Sequence, residues 1–340
     1  AAEQLALGYA DDAADLLRML NKPEKPFAAL KLSDDDKDEN VDLSLSLSYA
    51  ALKPDLQRRY RALGVLPIES TFDLPLLAAL WSDDDPDDAR APLRTLLDNG
   101  LLDAVADSQY SQHRLLRAYA RALLTGAGEL EPTFARYADF VIKQAKQFDT
   151  LPLEQWTQLD PLLPHVSETG ERLTDQWTTA AQPDDDLTRR CGDFAYNVEK
   201  YVLHRPQMID TPRGRERLGL RWLEMGLAIS RKTSDQTRES LFCNDIGEVW
   251  RTLGEPRKAL DYYEQALPLY RAIGNQGGEA TTLNNIGVVW RTLGEPRKAL
   301  DYYEQALPLR HAVGDRGGEA TTLNNIGEMW HTIGEPRKSL

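Results

Sequence analysis

The most regular alternation of apolar and polar positions lies between Gly254 and Ile333. Leu283, Ile286, Gly287 and Trp290 recur at i, i+3, i+4 and i+7, one face of a helix. After a break at Gly294-Glu295-Pro296, the same spacing returns in Ala299, Leu300, Tyr303, Ala306 and Leu307, so the pattern predicts helix, turn, helix. A side chain larger than those of Gly287 and Ala299 would push two touching helices apart, and Trp290 and Tyr303 are expected to fill the gaps between neighbouring pairs. Pro268 and Pro308 fall inside the second helix, where each removes a backbone donor and predicts a bend.

This unit is written twice: residues 254–293 and 294–333 agree at 31 of 40 positions. A repeat that faithful means one supersecondary unit stacked on copies of itself. Upstream, residues 185–204 form an amphipathic helix in which Phe194, Val198, Tyr201 and Val202 share a face. Residues 214–231 align with the second helix of the repeat, Trp222 standing where Tyr262 stands and Leu227 where Leu267 stands. The array therefore runs over 185–340, with a degenerate first repeat suited to capping an end that no neighbour covers.

The first half has a different texture. Residues 1–42 carry an amphipathic helix over 2–20 and a polar connector. From Leu43 a helix opens, followed by helices over 56–63, over 73–81 with Ser70 or Thr71 as cap, and over 89–99 ending at Gly100. Residues 101–105 and 109–113 read as a hairpin around Ala106-Asp107-Ser108, and residues 114–124 as a helix ending at Gly126. Helices, then a hairpin, then a helix describe a winged-helix domain over 43–126. A helical spacer over 127–184 follows, with a helix over 132–147 and helical turns over 152–168 interrupted at Pro161 and Pro164, where Trp156, Leu162, Leu163 and Val166 are the apolar residues. The expected fold is mainly α: a winged helix, the spacer, then a right-handed α-α superhelix.

In Leu283, Gly287, Trp290, Ala299, Tyr303 and Ala306 the repeat resembles the tetratricopeptide repeat family. The usual period there is about 34 residues, so the longer unit looks like the repeats of kinesin light chains and bacterial signalling ATPases. The extra residues lengthen either the helices or the turn at Gly274 to Gly278. The first half, through Ser46-Leu-Ser-Tyr-Ala-Ala-Leu, Arg58-Arg-Tyr-Arg-Ala-Leu-Gly-Val-Leu, Leu76-Leu-Ala-Ala-Leu-Trp, Leu93-Arg-Thr-Leu-Leu-Asp-Asn-Gly-Leu-Leu and Tyr110-Ser-Gln-His-Arg-Leu-Leu-Arg-Ala-Tyr-Ala, resembles the winged-helix domain of NB-ARC proteins in the STAND class of signalling NTPases.

That resemblance implies a role for His113. The family's motif reads Met-His-Asp, and its histidine contacts the β-phosphate of bound ADP. Gln112 and Arg114 replace the flanking residues here, so only the histidine transfers. A histidine capping the last helix against the hairpin is the structural alternative. Residues 1–340 contain no G-x-x-x-x-G-K-[ST] and no Gly-Lys pair, nor H-E-x-x-H, paired C-x-x-C or G-x-S-x-G. The expectation is a non-enzymatic portion of a longer ATPase, beginning without Met and stopping as a new helix opens, with ADP or ATP bound only in the parent, which oligomerises on activation.

Resembling repeats line the inner surface of their curve with the first helix of each pair. In that frame Asn244, Asn284 and Asn324 recur, next to Asp245, Asn285 and Asn325, with Glu248, Val288 and Glu328 a turn further and Arg251, Arg291 and His331 beyond. An amide donates and accepts, so an Asn ladder suits the backbone of an extended peptide. The alternative for Asn285 and Asn325 is that they bind the neighbouring helix and maintain the stack.

Charge narrows the partners. The net charge is −14 and acid collects at 34–38, 83–88 and 184–186, read as solvated loops. Duplex nucleic acid and anionic membranes are therefore not expected, and the nucleotide domain of the parent and a protein or peptide ligand are. Cys191 and Cys243 sit on apolar faces, and no run of eighteen apolar residues occurs, pointing to a reducing, cytoplasmic setting. Two alternatives remain: a plain tetratricopeptide scaffold or co-chaperone, and a winged-helix transcription regulator. Glu248 and Glu328 stand where a carboxylate-gripping clamp needs Lys or Arg, and the presumed reading helix over 89–99 has only Arg90 and Arg94.

Overall fold

The computed structural model describes residues 48–68, 70–106, 108–204 and 218–335. The expected helix over 2–20, the connector after it, the acidic run 34–38 and the start of the segment opening at Leu43 lie outside the described residues. In chain order the described elements begin α1 (Pro54–Ala62), β1 (Thr71–Phe72), α2 (Leu74–Trp81), α3 (Arg90–Asp98), β2 (Asp103–Ala106), β3 (Gln109–Ser111), α4 (Arg114–Gly126) and α5 (Leu130–Ala145). They continue with α6 (Gln147–Thr150), α7 (Leu163–Thr179), α8 (Asp185–His204), α9 (Leu218–Thr233), α10 (Gln236–Thr252), α11 (Pro256–Ala272), α12 (Gln276–Thr292), α13 (Pro296–Ala312) and α14 (Arg316–Ile333). Two units result. One holds the described residues through Gln144 with Leu151–Thr169, and the other holds Ala145–Thr150 with the described residues from Gly170 onward.

In the first unit the apolar faces predicted for α1 to α4 become a core of Tyr60, Leu77, Leu80, Trp81, Leu96, Ala120 and Leu124. The large rings keep their polar atoms bonded: the Tyr60 hydroxyl donates to the Leu116 carbonyl (2.9 Å) and Trp81 Nε1 to the Arg59 carbonyl (2.9 Å). The cap of α2 is neither Ser70 nor Thr71. Asp73 accepts from the Leu76 N–H (3.0 Å), while the buried Ser70 hydroxyl donates to the Pro67 carbonyl and Thr71 opens β1. The predicted hairpin forms from β2 and β3, and β1 pairs antiparallel with β3, giving the order β1-β3-β2. A strand of two residues has no alternation for a sequence to reveal.

The acidic run at 83–88 is only partly solvated. Asp83 receives two bonds from Arg59 (2.6 and 2.8 Å), whose guanidinium lies over Trp81 at 5.2 Å. Pro161 falls inside a 3-10 segment (Leu153–Leu162), and Pro164 lies in the first turn of α7, a position that needs no backbone donor, so α7 runs on to Thr179. Near its start the buried His165 donates from Nε2 to the Thr71 carbonyl (2.8 Å) and accepts at Nδ1 from the Tyr137 hydroxyl (2.9 Å). Burial lowers the pKa of this imidazole, in keeping with a neutral ring used as a strut.

In the second unit the forty-residue period halves. The helices α10, α11, α12 and α13 are each 17 residues long. Each turn after them carries a left-handed glycine: Gly254, Gly274, Gly294 and Gly314, with φ of 75°, 71°, 78° and 71°. That conformation lets the next N–H groups reach back to the last carbonyls, as Gly254 N does to Arg251 O (3.0 Å) and Glu255 N to Trp250 O (2.9 Å). Helix starts alternate instead. Asp235, Asn275 and Asp315 cap α10, α12 and α14 with their side chains, whereas α11 and α13 begin with Pro256 and Pro296, whose missing donors have no partner to lose.

The residues beyond the shorter period therefore lengthen helices, not the turn, since Gly277 and Gly278 lie inside α12. The helices α11 and α13 continue past Pro268 and Pro308 to Ala272 and Ala312. Within each pair a glycine faces an aromatic ring. A Cβ on Gly247 would come within 2.6 Å of Tyr263, and one on Gly287 within 2.5 Å of Tyr303. Tyr303 fills space inside its own pair and also shares a core cluster with Met329 of the next pair, while Trp290 packs against the clusters on both sides of it.

Candidate ligand groove of the repeat array

The helices α10, α12 and α14 open successive pairs, and equivalent positions on them converge on one recess of ≈ 520 Å³. Asn244, Glu248 and Arg251 line it from α10, and Asn284, Asn285, Val288 and Arg291 from α12. Asn325 lines it from α14, with Asp245 and Leu203 also in the wall. Asn324, Glu328 and His331 are exposed on α14 and lie outside this wall.

Much of the amide ladder is tied to the stack. Thr282 Oγ1 donates to Asn244 Oδ1 (3.1 Å), and Asn325 Nδ2 donates to Asn284 Oδ1 (3.1 Å), so each link joins one repeat to the next. The side-chain carbonyls of Asn244 and Asn284 are occupied in this way. The Asn284 amide N–H groups and the Asn285 side chain make no hydrogen bond among the described residues.

The variable positions explain one another. Glu248 accepts from both Nε (2.9 Å) and Nη2 of Arg251 and from the Tyr263 hydroxyl (3.1 Å). Burial alone would raise the pKa of Glu248, but these donors outweigh it and the net shift is downward. Val288 cannot accept, with two consequences one repeat later. The Tyr303 hydroxyl is buried without a partner, and Arg291 reaches to Glu328 of the following repeat (2.6 Å).

Asp245 has a role that periodicity did not reveal. It stands where the two later repeats have Asn285 and Asn325, is 4% exposed, and has its carboxyl pushed up to about 6, above all by burial. Glu199 on α8 lies within hydrogen-bonding reach of it. A charge replacing an amide at one point of a repeat was the available signal.

In the first unit, His113 is exposed and is the N-cap of α4, with Nδ1 accepting from the Leu115 N–H (3.3 Å). That leaves Nε2 as the ring's donor. Gln112, in the place of the motif's Met, is buried with neither amide atom hydrogen-bonded. Among the described residues no group of three His, Cys, Asp or Glu could hold a metal ion, and no helix is long and apolar enough to cross a membrane.

Residues 237–312 and 278–340 match the family model of the tetratricopeptide repeat, so α10 to α14 are tetratricopeptide repeats, a protein-interaction scaffold. No curated protein matches the chain. Among solved structures, BtubC (BKLC) from P. vanneervenii is 16% identical, with 61% of this chain and 86% of that one covered and a TM-score of 0.39. The nearly identical repeats of a Podospora anserina kinesin light chain are 12% identical, with 61% and 90% covered and a TM-score of 0.42. A STAND protein with a tetratricopeptide repeat sensor from Pyrococcus horikoshii is 14% identical, with 99% of this chain and 62% of that one covered and a TM-score of 0.37.

Proposed function

We propose that the chain is the regulatory and sensor portion of a STAND-class signalling ATPase, in which the repeats hold an extended peptide and the first unit helps to hold ADP in the resting state. The observation that carries the peptide reading is the recess itself. Three successive first helices line it, and two of them, α10 and α12, present Arg251, Asn284, Asn285 and Arg291, a mixture of donors and acceptors in which Arg251 and Arg291 stand one repeat apart. Asn244 and Asn325 brace that surface through the inter-repeat bonds, which keeps the amides in place before a ligand arrives.

Two observations support the nucleotide reading: the sequence match around His113, and the position of that ring on the surface with Nδ1 spent on the helix cap. An outward Nε2–H is a short donor suited to a phosphate oxygen. The cap and the phosphate contact use different nitrogens, so one histidine can serve both. Ligand binding shifts such a switch only through different affinities for its two states.

The test is ADP retention by the chain expressed in one polypeptide with the nucleotide domain of its parent. Wild type is expected to carry ADP through gel filtration, and His113→Ala to lose it at least tenfold faster. Equal retention would remove His113 from the nucleotide site.

A plain scaffold is the second reading, and the recess alone suffices for it. Asp245 and Glu248 in its wall favour cationic partners over a C-terminal carboxylate. The DNA-regulator reading has less support, because Arg90 on the presumed reading helix is paired with Asp87 (2.6 Å).

A further inference from the structure

The first unit holds a smaller recess, of ≈ 210 Å³, between α1, the end of α2 and the start of α5. Arg58 and Arg59 of α1, Trp81 of α2, and Glu129, Thr133 and Arg136 around the first turns of α5 shape its wall. The acids beside it are already engaged. Arg61 donates from Nε and Nη2 to the two oxygens of Glu129 (3.0 and 2.7 Å), and Arg59 donates to both oxygens of Asp83. Asp55 is shared between Arg58 (3.1 Å) and Arg59 (2.8 Å). Every nitrogen of the Arg59 guanidinium is thereby spent.

Arg136 is different. Its Nε donates to the Leu80 carbonyl (3.3 Å) and its Nη2 to the Thr133 hydroxyl (3.2 Å), and it has no carboxylate partner among the described residues. Burial, and after it the charge of Arg58, lower its pKa. A guanidinium drawn partly out of water toward a second guanidinium and neutral acceptors is short of a counter-charge. Across the network Arg58, Arg59, Arg61 and Arg136 face Asp55, Asp83 and Glu129, an excess of positive charge in a chain whose net charge is −14. The first turn of α5, with Thr133 in the wall, adds the positive end of a 16-residue helix. Donors remain to be used: Nη1 of Arg136, Nε and Nη1 of Arg58, and the hydroxyl hydrogen of Thr133, a residue 2% exposed.

We propose that this recess binds a phosphate group, held between Arg58 of α1 and Arg136 of α5 with the Thr133 hydroxyl as a third donor. The site is independent of the peptide groove and of His113. A planar carboxylate is matched by the fork of one guanidinium, as Asp83 and Glu129 are here. A phosphate has three strong acceptor oxygens in a tetrahedral array and a charge of about −1.5 to −2, so it can take donors from two helices at once. The recess is smaller than the about 300–1,000 Å³ of pockets that enclose a drug-sized ligand, which suits the phosphate end of a molecule and not the whole of a large one. Bound there, the group ties α5 to α1.

The experiment is equilibrium dialysis of the full chain against radiolabelled inorganic phosphate at constant ionic strength. Wild type is expected to bind it stoichiometrically and saturably. Arg136→Gln should weaken binding at least tenfold, and so should Arg58→Gln, whose exposed position keeps the fold intact. Arg297→Gln removes the same charge from an exposed position on α13 and should leave binding unchanged. No binding by wild type, or equal binding by all of these chains, would overturn the site. Acetate displacing phosphate as effectively as unlabelled phosphate does would also overturn it, and make the recess a carboxylate seat. O-phosphoserine and ADP, added as competitors, distinguish the sources of the group. Displacement by the first points to a phosphorylated side chain, by the second to a nucleotide, and by neither to the free ion, and the site stands in each case.

Discussion

Tyr263 and Tyr303 occupy one position of the repeat, are buried to the same degree, and differ in what their hydroxyls meet. Tyr263 donates to Glu248 (3.1 Å), while Val288 leaves the Tyr303 hydroxyl with no acceptor. A buried bond to a charged group and a buried orphan have opposite signs in the energy of folding. Tyr263→Phe is expected to cost about 1–2 kcal/mol, and Tyr303→Phe to be neutral or to stabilise by up to about 1 kcal/mol. Urea unfolding of both variants under one buffer condition measures the contrast, and equal losses would refute it. At this scale the sequence was legible only in part. The alternation of Glu248, Val288 and Glu328 could be seen, but its meaning required knowing that Arg251 turns inward to its own repeat and Arg291 outward to the next.

The elements were far easier to read, because apolar spacing, Pro at helix starts and Gly at helix ends all act within a few residues. The predicted helix over 185–204 coincides with α8, and the hairpin and the helix after it lie where turn chemistry put them. What escaped was β1, which exists because the distant β3 pairs with it, and the cap of α2, a local bond of Asp73 two or three residues beyond the expected Ser70 or Thr71. The residues around 205–217 lie outside the described residues, so the predicted start of α9 at Gly214 is not among them. One element has a defect that substitution can repair. Ser234 closes α9 at a φ of 58°, the left-handed place that glycine holds in the later turns. Ser234→Gly should relieve about 1 kcal/mol of strain, offset in part by the entropy of the unfolded chain, for a net gain of about 0.5 kcal/mol. Gly294→Ala should lose about 1–2 kcal/mol. A shift of the denaturation midpoint with unchanged slope is the readout for both.

At the scale of the whole molecule, stacked repeats take their stability from their neighbours as much as from themselves. Residues 277–287 and 317–327 have the same sequence, yet Leu283 is 1% exposed and Leu323 is 49% exposed. In the 340-residue chain, amides of α14 should therefore exchange with solvent at least tenfold faster than their sequence-identical counterparts in α12. Hydrogen-exchange mass spectrometry compares the two directly, and equal protection would contradict the neighbour-dependent account. The left-handed glycines have a consequence of another kind. Because the chain reverses at a left-handed glycine every twenty residues and repeats its helix starts every forty, junctions forty residues apart are interchangeable, and a whole helix pair can be spliced in or dropped without a mismatched seam. The array behaves as a ruler graduated in identical steps, whose reach can drift by copying errors between near-identical stretches of coding sequence while the geometry of every graduation stays the same.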